Sequence, residues 1–324
     1  MRAAQVVSLE GPSGVEIREV PDVVAGPGEV LVRVHSVGIA FPDLLLSKGE
    51  YQLKPEVPFT IGIDAAGTVE ALGEGVTGFR VGQRVAAAMP YGGAAELLAA
   101  PVDAVFPLPD NVSFDEGAAL PMNYLTAQFA LSQRAGLQAG ETVLVHGAAG
   151  GVGTATIQVA KGMGAQVIGV VSTEEKAKVA LEAGADHAVL AEGFRAAVGE
   201  LTGGRGVDVL VDVVGGDLFT DSLRSLAPLG RLLVIGFASG QGIPEVKVNR
   251  LLLNNIDVRG VGWGGFAMSR PGYMHQQWQA LLPMLETGTL KPPIGATYSL
   301  DELPDALRGL ESRSALGKLV VRLA

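Results

Sequence analysis

Cysteine is absent from all 324 residues, and only four histidines are present. The first absence removes disulfides and thiolate ligands, and the two together leave little with which to hold zinc or iron. Charged residues make up only 18% of the chain and aromatics 5%, against 48% hydrophobic residues. A disordered or fibrous chain has a different balance, so substantial buried cores are expected, and the length suffices for two domains. No block of clustered Lys and Arg occurs and the formal net charge is −10, so the electrostatic footprint of a nucleic-acid binder is missing. No apolar run reaches membrane-spanning length, and Met1-Arg2-Ala3-Ala4-Gln5-Val6-Val7 reads directly into a strand pattern without an apolar signal segment. These absences point to a cytoplasmic protein with no nucleic-acid and no membrane partner.

What is present centres on Thr142-Val143-Leu144-Val145-His146-Gly147-Ala148-Ala149-Gly150-Gly151-Val152-Gly153-Thr154, an apolar strand that empties through clustered glycines into a helix. Glycines let the backbone turn sharply and let a pyrophosphate approach the main chain, while the N–H groups and positive end of the following helix stabilise its charge. Gly147, Gly150 and Gly153 recur every third residue, with Gly151 added, which departs from the usual G-x-G-x-x-G spacing. The context supplies what the spacing does not. A helix through Ile157 to Ala160, a turn at Gly162 and Gly164 and a strand from Gln166 to Val171 complete a βαβ unit.

The end of that second strand indicates which dinucleotide is held. A site for NAD usually places Asp or Glu there to bind both ribose hydroxyls; here Ser172 and Thr173 follow Val171, and Lys176 lies one helical turn on. Two hydroxyls and an ammonium can meet a 2′-phosphate, so NADPH is favoured over NADH. Ser172 with Glu175 can equally form a capping box with Lys176 as a solvated helix residue, and both readings can hold together. Glu174 and Glu175 weaken the local positive field.

Up to about residue 110 the pattern is short β segments punctuated by turns: Val15 to Val20, Val30 to Val37, Asp64 to Leu72, Gln83 to Ala88 and Ala94 to Ala99. Ser113 with Glu116 makes a capping box, and the apolar stretch from Ala118 to Leu131 reads as one helix joining two domains. From Gly140 strands and helices alternate through Ala188 to Leu190, Val207 to Val214, Arg231 to Ile235 and Ile256 to Val261, as a doubly wound parallel sheet requires. A helix from about Tyr273 to Thr287, a capping box at Ser299 and Glu302, and a last strand Lys318 to Arg322 read as a return to the first domain. The expected boundaries are 1–120 with 266–324 for the first domain and 121–265 for the second.

This arrangement resembles the medium-chain dehydrogenase/reductase superfamily, and within it the zinc-independent NADPH:quinone oxidoreductase family. The likeness is carried by Val37-Gly38-Ile39-Ala40-Phe41-Pro42-Asp43, Gly67-Thr68-Val69-Glu70-Ala71-Leu72-Gly73-Glu74-Gly75-Val76, His146 to Gly153, and Glu311-Ser312-Arg313 before Gly317-Lys318. It covers essentially the whole chain. The resemblance implies an α/β fold, with a GroES-like mostly-β catalytic domain and a Rossmann nucleotide-binding domain. Zinc members of the superfamily carry an early cysteine and a Gly-His-Glu segment; Ile61-Gly62-Ile63-Asp64 occupies that region here.

The resemblance further implies that Thr126 lies by the nicotinamide, that Gly151 and Val152 contact the pyrophosphate, with Gly150 also in the cofactor-binding set, and that Ser172 and Lys176 hold the 2′-phosphate. Gly236, Phe237 and Trp263 would run along the nicotinamide side, Arg313 would reach the cofactor, and Phe41 and Asn123 join the same set. Each also has a plain structural reading: Thr126 bonded within its helix, Trp263 a core or interface aromatic, Arg313 a surface charge. Where family members often carry a tyrosine facing the substrate this chain has Leu44 and Leu45, so no proton donor is evident. Asp43 and Thr126 remain the catalytic candidates, with Asp43 alternatively a cap for the next helix.

Without a Lewis acid to polarise an alcohol or ketone, the implied reaction is hydride transfer to an acceptor that takes it readily, a quinone or an α,β-unsaturated carbonyl. An enoyl-thioester reductase and a non-catalytic NADPH-binding protein are the alternatives. A homodimer is expected, because the strand Ile256 to Val261 would otherwise leave an unpaired apolar edge, unless the returning C-terminal segment covers it.

Overall fold

Short valine- and alanine-rich segments separated by glycine turns can satisfy their backbone groups only by pairing with one another, and they do so in three sheets. The computed structural model describes residues 1–323 and divides into two units. One comprises Met1–Met122, Pro271–Gly288 and the chain from Pro292; the other comprises Asn123–Arg270 and Thr289–Lys291.

The first unit is built mainly from antiparallel strands. These are β1 (Arg2–Val6), β2 (Val15–Glu19), β3 (Glu29–Ile39), β4 (Phe59–Thr60), β5 (Asp64–Leu72), β6 (Arg84–Ala88), β7 (Leu97–Pro101) and β8 (Val105–Pro107). Strands β2, β1 and β4 form a three-stranded sheet. Strands β3, β5, β6 and β8 continue a larger sheet, with β7 also paired to β3. Two late strands, β15 (Ile294–Ser299) and β16 (Lys318–Arg322), complete it, β16 lying antiparallel to β3. Val32, Val34, Val37 and Ile39 of β3 pack with Ile61, Ile63, Val69, Leu319 and Val321 in one core. The strand expected from Ala94 begins only at Leu97, because the backbone of Ala94 is already committed: its N–H bonds Ile61 and its carbonyl accepts from Ala4, both at 2.8 Å.

The second unit is a six-stranded, wholly parallel sheet of β9 (Thr142–His146), β10 (Gln166–Val171), β11 (His187–Leu190), β12 (Val207–Asp212), β13 (Leu226–Val234) and β14 (Asp257–Gly260). Its spatial order, β11-β10-β9-β12-β13-β14, is the Rossmann order in which the direction of winding reverses between the first and fourth strands. Every residue of β12 is buried, as a strand covered on both faces must be. The expected α/β architecture, a GroES-like β unit and a doubly wound nucleotide-binding unit, is therefore present.

Two expectations need correction. The single helix from Ala118 to Leu131 is instead a helix Phe114–Ala119, a second helix Pro121–Gln128, and a π-helical segment Phe129–Ala135 closed by left-handed Gly136. Pro121 has no N–H to offer the carbonyl of Gly117, so the first helix ends there, with Leu120 donating to Gly117 instead. The edge strand β14 is not apolar: it holds Asp257 and Arg259, which pair with each other, while the exposed apolar side chains nearby in sequence are Leu252 and Leu253. Strand β16 pairs in the first unit's sheet, and among the described residues β14 has a strand neighbour only on its β13 side.

Candidate cofactor site

Strand β9 delivers His146 to the carboxyl edge of the parallel sheet, and Gly147 then turns in the left-handed region at φ 62°. The four glycines of the turn do different work. A Cβ on Gly147 would lie 2.8 Å from Val213 Cγ2, and one on Gly153 only 2.1 Å from the Gly147 carbonyl oxygen and 2.8 Å from Ala148 Cα. These two allow turn, helix and the loop after β12 to close on one another. A Cβ on Gly151 would lie 2.5 Å from Asn123 Nδ2, so Asn123, itself buried, packs directly on the start of the helix. Gly150 is exposed and its Cβ would meet nothing nearer than 3.4 Å. Of the four it is the least crowded.

The helix Gly151–Gly162 starts from Gly150 without a side-chain cap. Its first-turn N–H groups have no intrahelical acceptor and lie at the positive end of the helix dipole, which suits an anion. The turn at 147–150 flanks the point where winding reverses between β9 and β12, where open α/β sheets bind ligands. Beneath it, buried His146 donates from Nε2 to Ser222 Oγ at 2.8 Å, since that hydroxyl itself donates to the Leu218 carbonyl. Nδ1 is buried without a partner. Burial holds the imidazole neutral, its pKa lowered to about 4 against the opposing pull of Asp212. Asp212 Oδ1 accepts from the N–H groups of Val214 and Gly215 at 2.9 and 2.8 Å and shapes the loop after β12.

At the end of β10, Ser172 and Lys176 come together, Nζ lying 3.3 Å from Ser172 Oγ. The cap of the helix Glu174–Glu182 is Thr173, whose hydroxyl accepts from the Lys176 N–H, so the capping box expected from Ser172 and Glu175 is not formed. Thr173 holds the extended backbone that a cap requires, and Ser172 is left exposed to solvent.

The remaining candidates are placed as follows. Asn123 and Thr126 are buried in the helix Pro121–Gln128. Gly236 and Phe237 follow β13, with Phe237 40% exposed, whereas Trp263 is buried where it opens the helix Trp263–Met268. Phe41, Asp43 and Arg313 belong to the β-rich unit. Phe41 opens the helix Phe41–Ser47, and Arg313 sits at φ 57°, a left-handed conformation unusual for a side chain of its size.

Asp43 is fully buried rather than open to an acceptor. Its carboxyl oxygens accept from Ala40 N–H at 2.8 Å and Gly62 N–H at 3.2 Å. Burial pushes its pKa up to about 7, against the two backbone bonds and the more distant charge of Lys318. Sequence reasoning missed Tyr51, half-buried against the same core, with its phenol raised by burial and by Asp43. It also missed the buried ion pair of Lys318 Nζ and Asp64 Oδ2 at 2.9 Å.

Two family descriptions match the chain: an alcohol dehydrogenase GroES-like domain over residues 26–110 and a zinc-binding dehydrogenase over residues 151–287. Quinone oxidoreductase-like protein 2 of Bos taurus is 39% identical over 325 residues, 99% of this chain and 92% of its own length. Quinone oxidoreductase of Homo sapiens is 32% identical over 330 residues, covering 100% of this chain and 98% of the relative. The chain belongs to the quinone oxidoreductase-like medium-chain dehydrogenases/reductases. A mycobacterial protein of known structure, complexed with NADPH, superposes with a TM-score of 0.91 at 34% identity, covering 100% of both chains.

One matching description mentions zinc, and the residues here do not fit that ion. Thiolate donors are absent from the whole sequence, and among the described residues no three His, Asp or Glu side chains come together as a donor set. No step of the chemistry is therefore routed through a metal. Among the described residues no helix is long and apolar enough to cross a membrane.

Proposed function

We propose that this chain is a cytoplasmic NADPH-dependent oxidoreductase that reduces a quinone or an α,β-unsaturated carbonyl. The observation that carries the reading is the turn from Gly147 to Gly153, with Gly150 exposed and an uncapped helix behind it, together with Ser172 and Lys176 side by side at the end of β10. The N–H groups of Gly151, Val152 and Gly153 would bind the pyrophosphate, and the Ser172 hydroxyl with the Lys176 ammonium would bind a 2′-phosphate. No acidic side chain stands at the end of β10 to select the ribose hydroxyls of NAD. Asn123 would hold the first turn of the helix in place, and Thr126, Gly236, Phe237 and Trp263 would orient the nicotinamide end.

Bound there, the dihydronicotinamide supplies the hydride. The chain's own contribution is then orientation rather than acid catalysis. A hydroquinone oxyanion is weakly basic and can take its proton from solvent, which matches the lack of an exposed acid at Asp43 and the apolar Leu44 and Leu45.

The chain would act as a homodimer joined at β14. A two-fold axis through Val258 would set Asp257 of each copy opposite Arg259 of the other, a self-complementary pattern that turns an unpaired edge into a twelve-stranded continuation of about twice the width. Light scattering across a concentration series tests this, and a monomer at all concentrations refutes it.

The cofactor reading is tested with Lys176→Ala. Loss of a charge-assisted hydrogen bond costs about 1.5–3 kcal/mol, so NADPH binding should weaken by that amount while NADH binding stays nearly unchanged. Equal losses for both nucleotides refute the assignment. Rates of NADPH oxidation with a simple naphthoquinone against a crotonyl thioester separate the quinone reading from an enoyl-thioester reductase. Tight NADPH binding with no turnover on a broad acceptor panel would show a non-catalytic binding protein.

A further inference from the structure

Three ionisable side chains are buried inside the β-rich unit, two of them bonded to each other. Asp64 opens β5 and Lys318 opens β16, and both are buried, as is Asp43 in the helix Phe41–Ser47. Lys318 Nζ bonds Asp64 Oδ2 at 2.9 Å, and Asp64 Oδ1 accepts from the Met122 N–H at 2.9 Å. The stem of Lys318 runs past Gly38 of β3, where a Cβ would lie 2.8 Å from Lys318 Cε and 1.9 Å from the Ala118 carbonyl. Glycine at that position leaves room for both the Ala118 carbonyl and the lysine stem.

Two carboxyls and one ammonium are buried here and the ammonium bonds Asp64, so with both carboxyls ionised the unit would bury an uncompensated negative charge. Lys318 is committed to Asp64. Asp43 has two backbone N–H donors and, among the described residues, no cation in contact, and the groups that bear on it are Lys318 from β16, Asp64 from β5 and the Tyr51 phenol. Other charges of the neighbouring elements are turned to the surface and paired, Lys48 with Glu311 and Arg2 with Asp301.

We propose that Asp43, Asp64 and Lys318 form a proton-linked lock in the β-rich unit: the folded chain keeps one proton on the Asp43 carboxyl that the unfolded chain releases. The raised pKa of Asp43, about 7, fits this geometry. A carboxyl whose folded pKa is raised lends stability that is whole below its unfolded value near 4, declines as pH rises, and is gone above about 7. The lock makes the stability of this unit respond to pH across the range from weakly acidic to neutral.

The test is thermal unfolding of the full chain between pH 5 and pH 8, for the natural protein and Asp43→Asn, with the protons released on unfolding measured at pH 6 by calorimetry in buffers of different ionisation enthalpy. The natural protein should release about one more proton than the variant, and the difference between their melting temperatures should change steadily up to pH 7 and then level. Asparagine cannot satisfy both backbone donors, so the variant is less stable at every pH, but a constant offset does not alter the slope. Should Asp43→Asn not fold, the Asp43 carboxyl of the natural protein is followed by ¹³C NMR, where a midpoint near neutrality supports the lock. Parallel melting curves with equal proton release, or a carboxyl midpoint below pH 5, overturn it.

Discussion

The turn glycines separate folding from cofactor binding, and two alanine substitutions test that separation. A Cβ at residue 153 would stand 2.1 Å from the Gly147 carbonyl oxygen, more than an ångström inside ordinary contact. The obstacle is backbone, not a flexible side chain, and the same carbonyl accepts from Gly150 N–H at 2.9 Å. Gly153→Ala must therefore push the turn away from the helix. Overpacking of this kind costs about 1–3 kcal/mol, and disturbing the Gly150–Gly147 bond adds about 1 kcal/mol. A loss of about 2–4 kcal/mol is expected.

At Gly150 the nearest atom to a new Cβ is 3.4 Å away, and the backbone, at φ −85° and ψ 173°, suits alanine. The residue is a helix N-cap, where replacing glycine with alanine costs about 1 kcal/mol at most. The new methyl would nevertheless project over the surface on which the pyrophosphate should rest. Gly150→Ala is expected to keep the fold and weaken NADPH by tenfold or more, about 1.4 kcal/mol. Urea unfolding measures the first effect, and titration followed by NADPH fluorescence measures the second. If Gly150→Ala binds NADPH like the natural protein, the pyrophosphate does not lie on this turn. If both variants unfold at the same urea concentration, the steric reasoning is wrong.

Lys318→Met removes the cation bonded to Asp64 and leaves a buried carboxylate uncompensated, so a loss of about 3–5 kcal/mol is expected in urea unfolding. Adding Asp64→Asn to that variant should recover part of the loss; a double variant no more stable than Lys318→Met would count against the pair as the cause. His146 is held neutral at a pKa lowered to about 4. A base with a depressed folded pKa lends stability that is whole above its unfolded value near 6.5 and is lost as pH falls towards 4, amounting to about 3 kcal/mol. In His146→Leu the decline in stability between pH 6.5 and pH 4 should be shallower by that amount, and an unchanged acid slope would refute the assignment.

The parts of this molecule that could be read from sequence are those written in neighbouring residues. The strand Thr142–His146, its glycine turn and the helix behind it lie within about twenty residues, and each local preference points to the same structure. The capping boxes at Ser113 with Glu116 and Ser299 with Glu302 span three residues and form as expected. Where two adjacent residues offered the same chemistry, the local signal failed. Ser172 and Thr173 both carry hydroxyls, and the backbone direction leaving β10 decided that Thr173 caps the helix. Hydrophobic periodicity likewise ran on through Leu120, while a missing N–H at Pro121 ended the helix.

What remained invisible depends on contacts between distant residues. Lys318 and Asp64 are 254 positions apart, and nothing in the composition around either one announces a buried charge. The hint lay in a third place: Gly38 stands in a strand of otherwise bulky residues, and a glycine there leaves the channel that the lysine stem occupies. A strand glycine that is not at a turn is thus a sequence signal for a close approach, though not for its partner. Asp43 shows the complementary case. Its position before an apolar helix suggested either a cap or a polar group facing an acceptor, and only burial separates them, because a fully enclosed carboxyl bonded to Ala40 and Gly62 organises the backbone and presents no oxygen at a surface where a substrate could reach it.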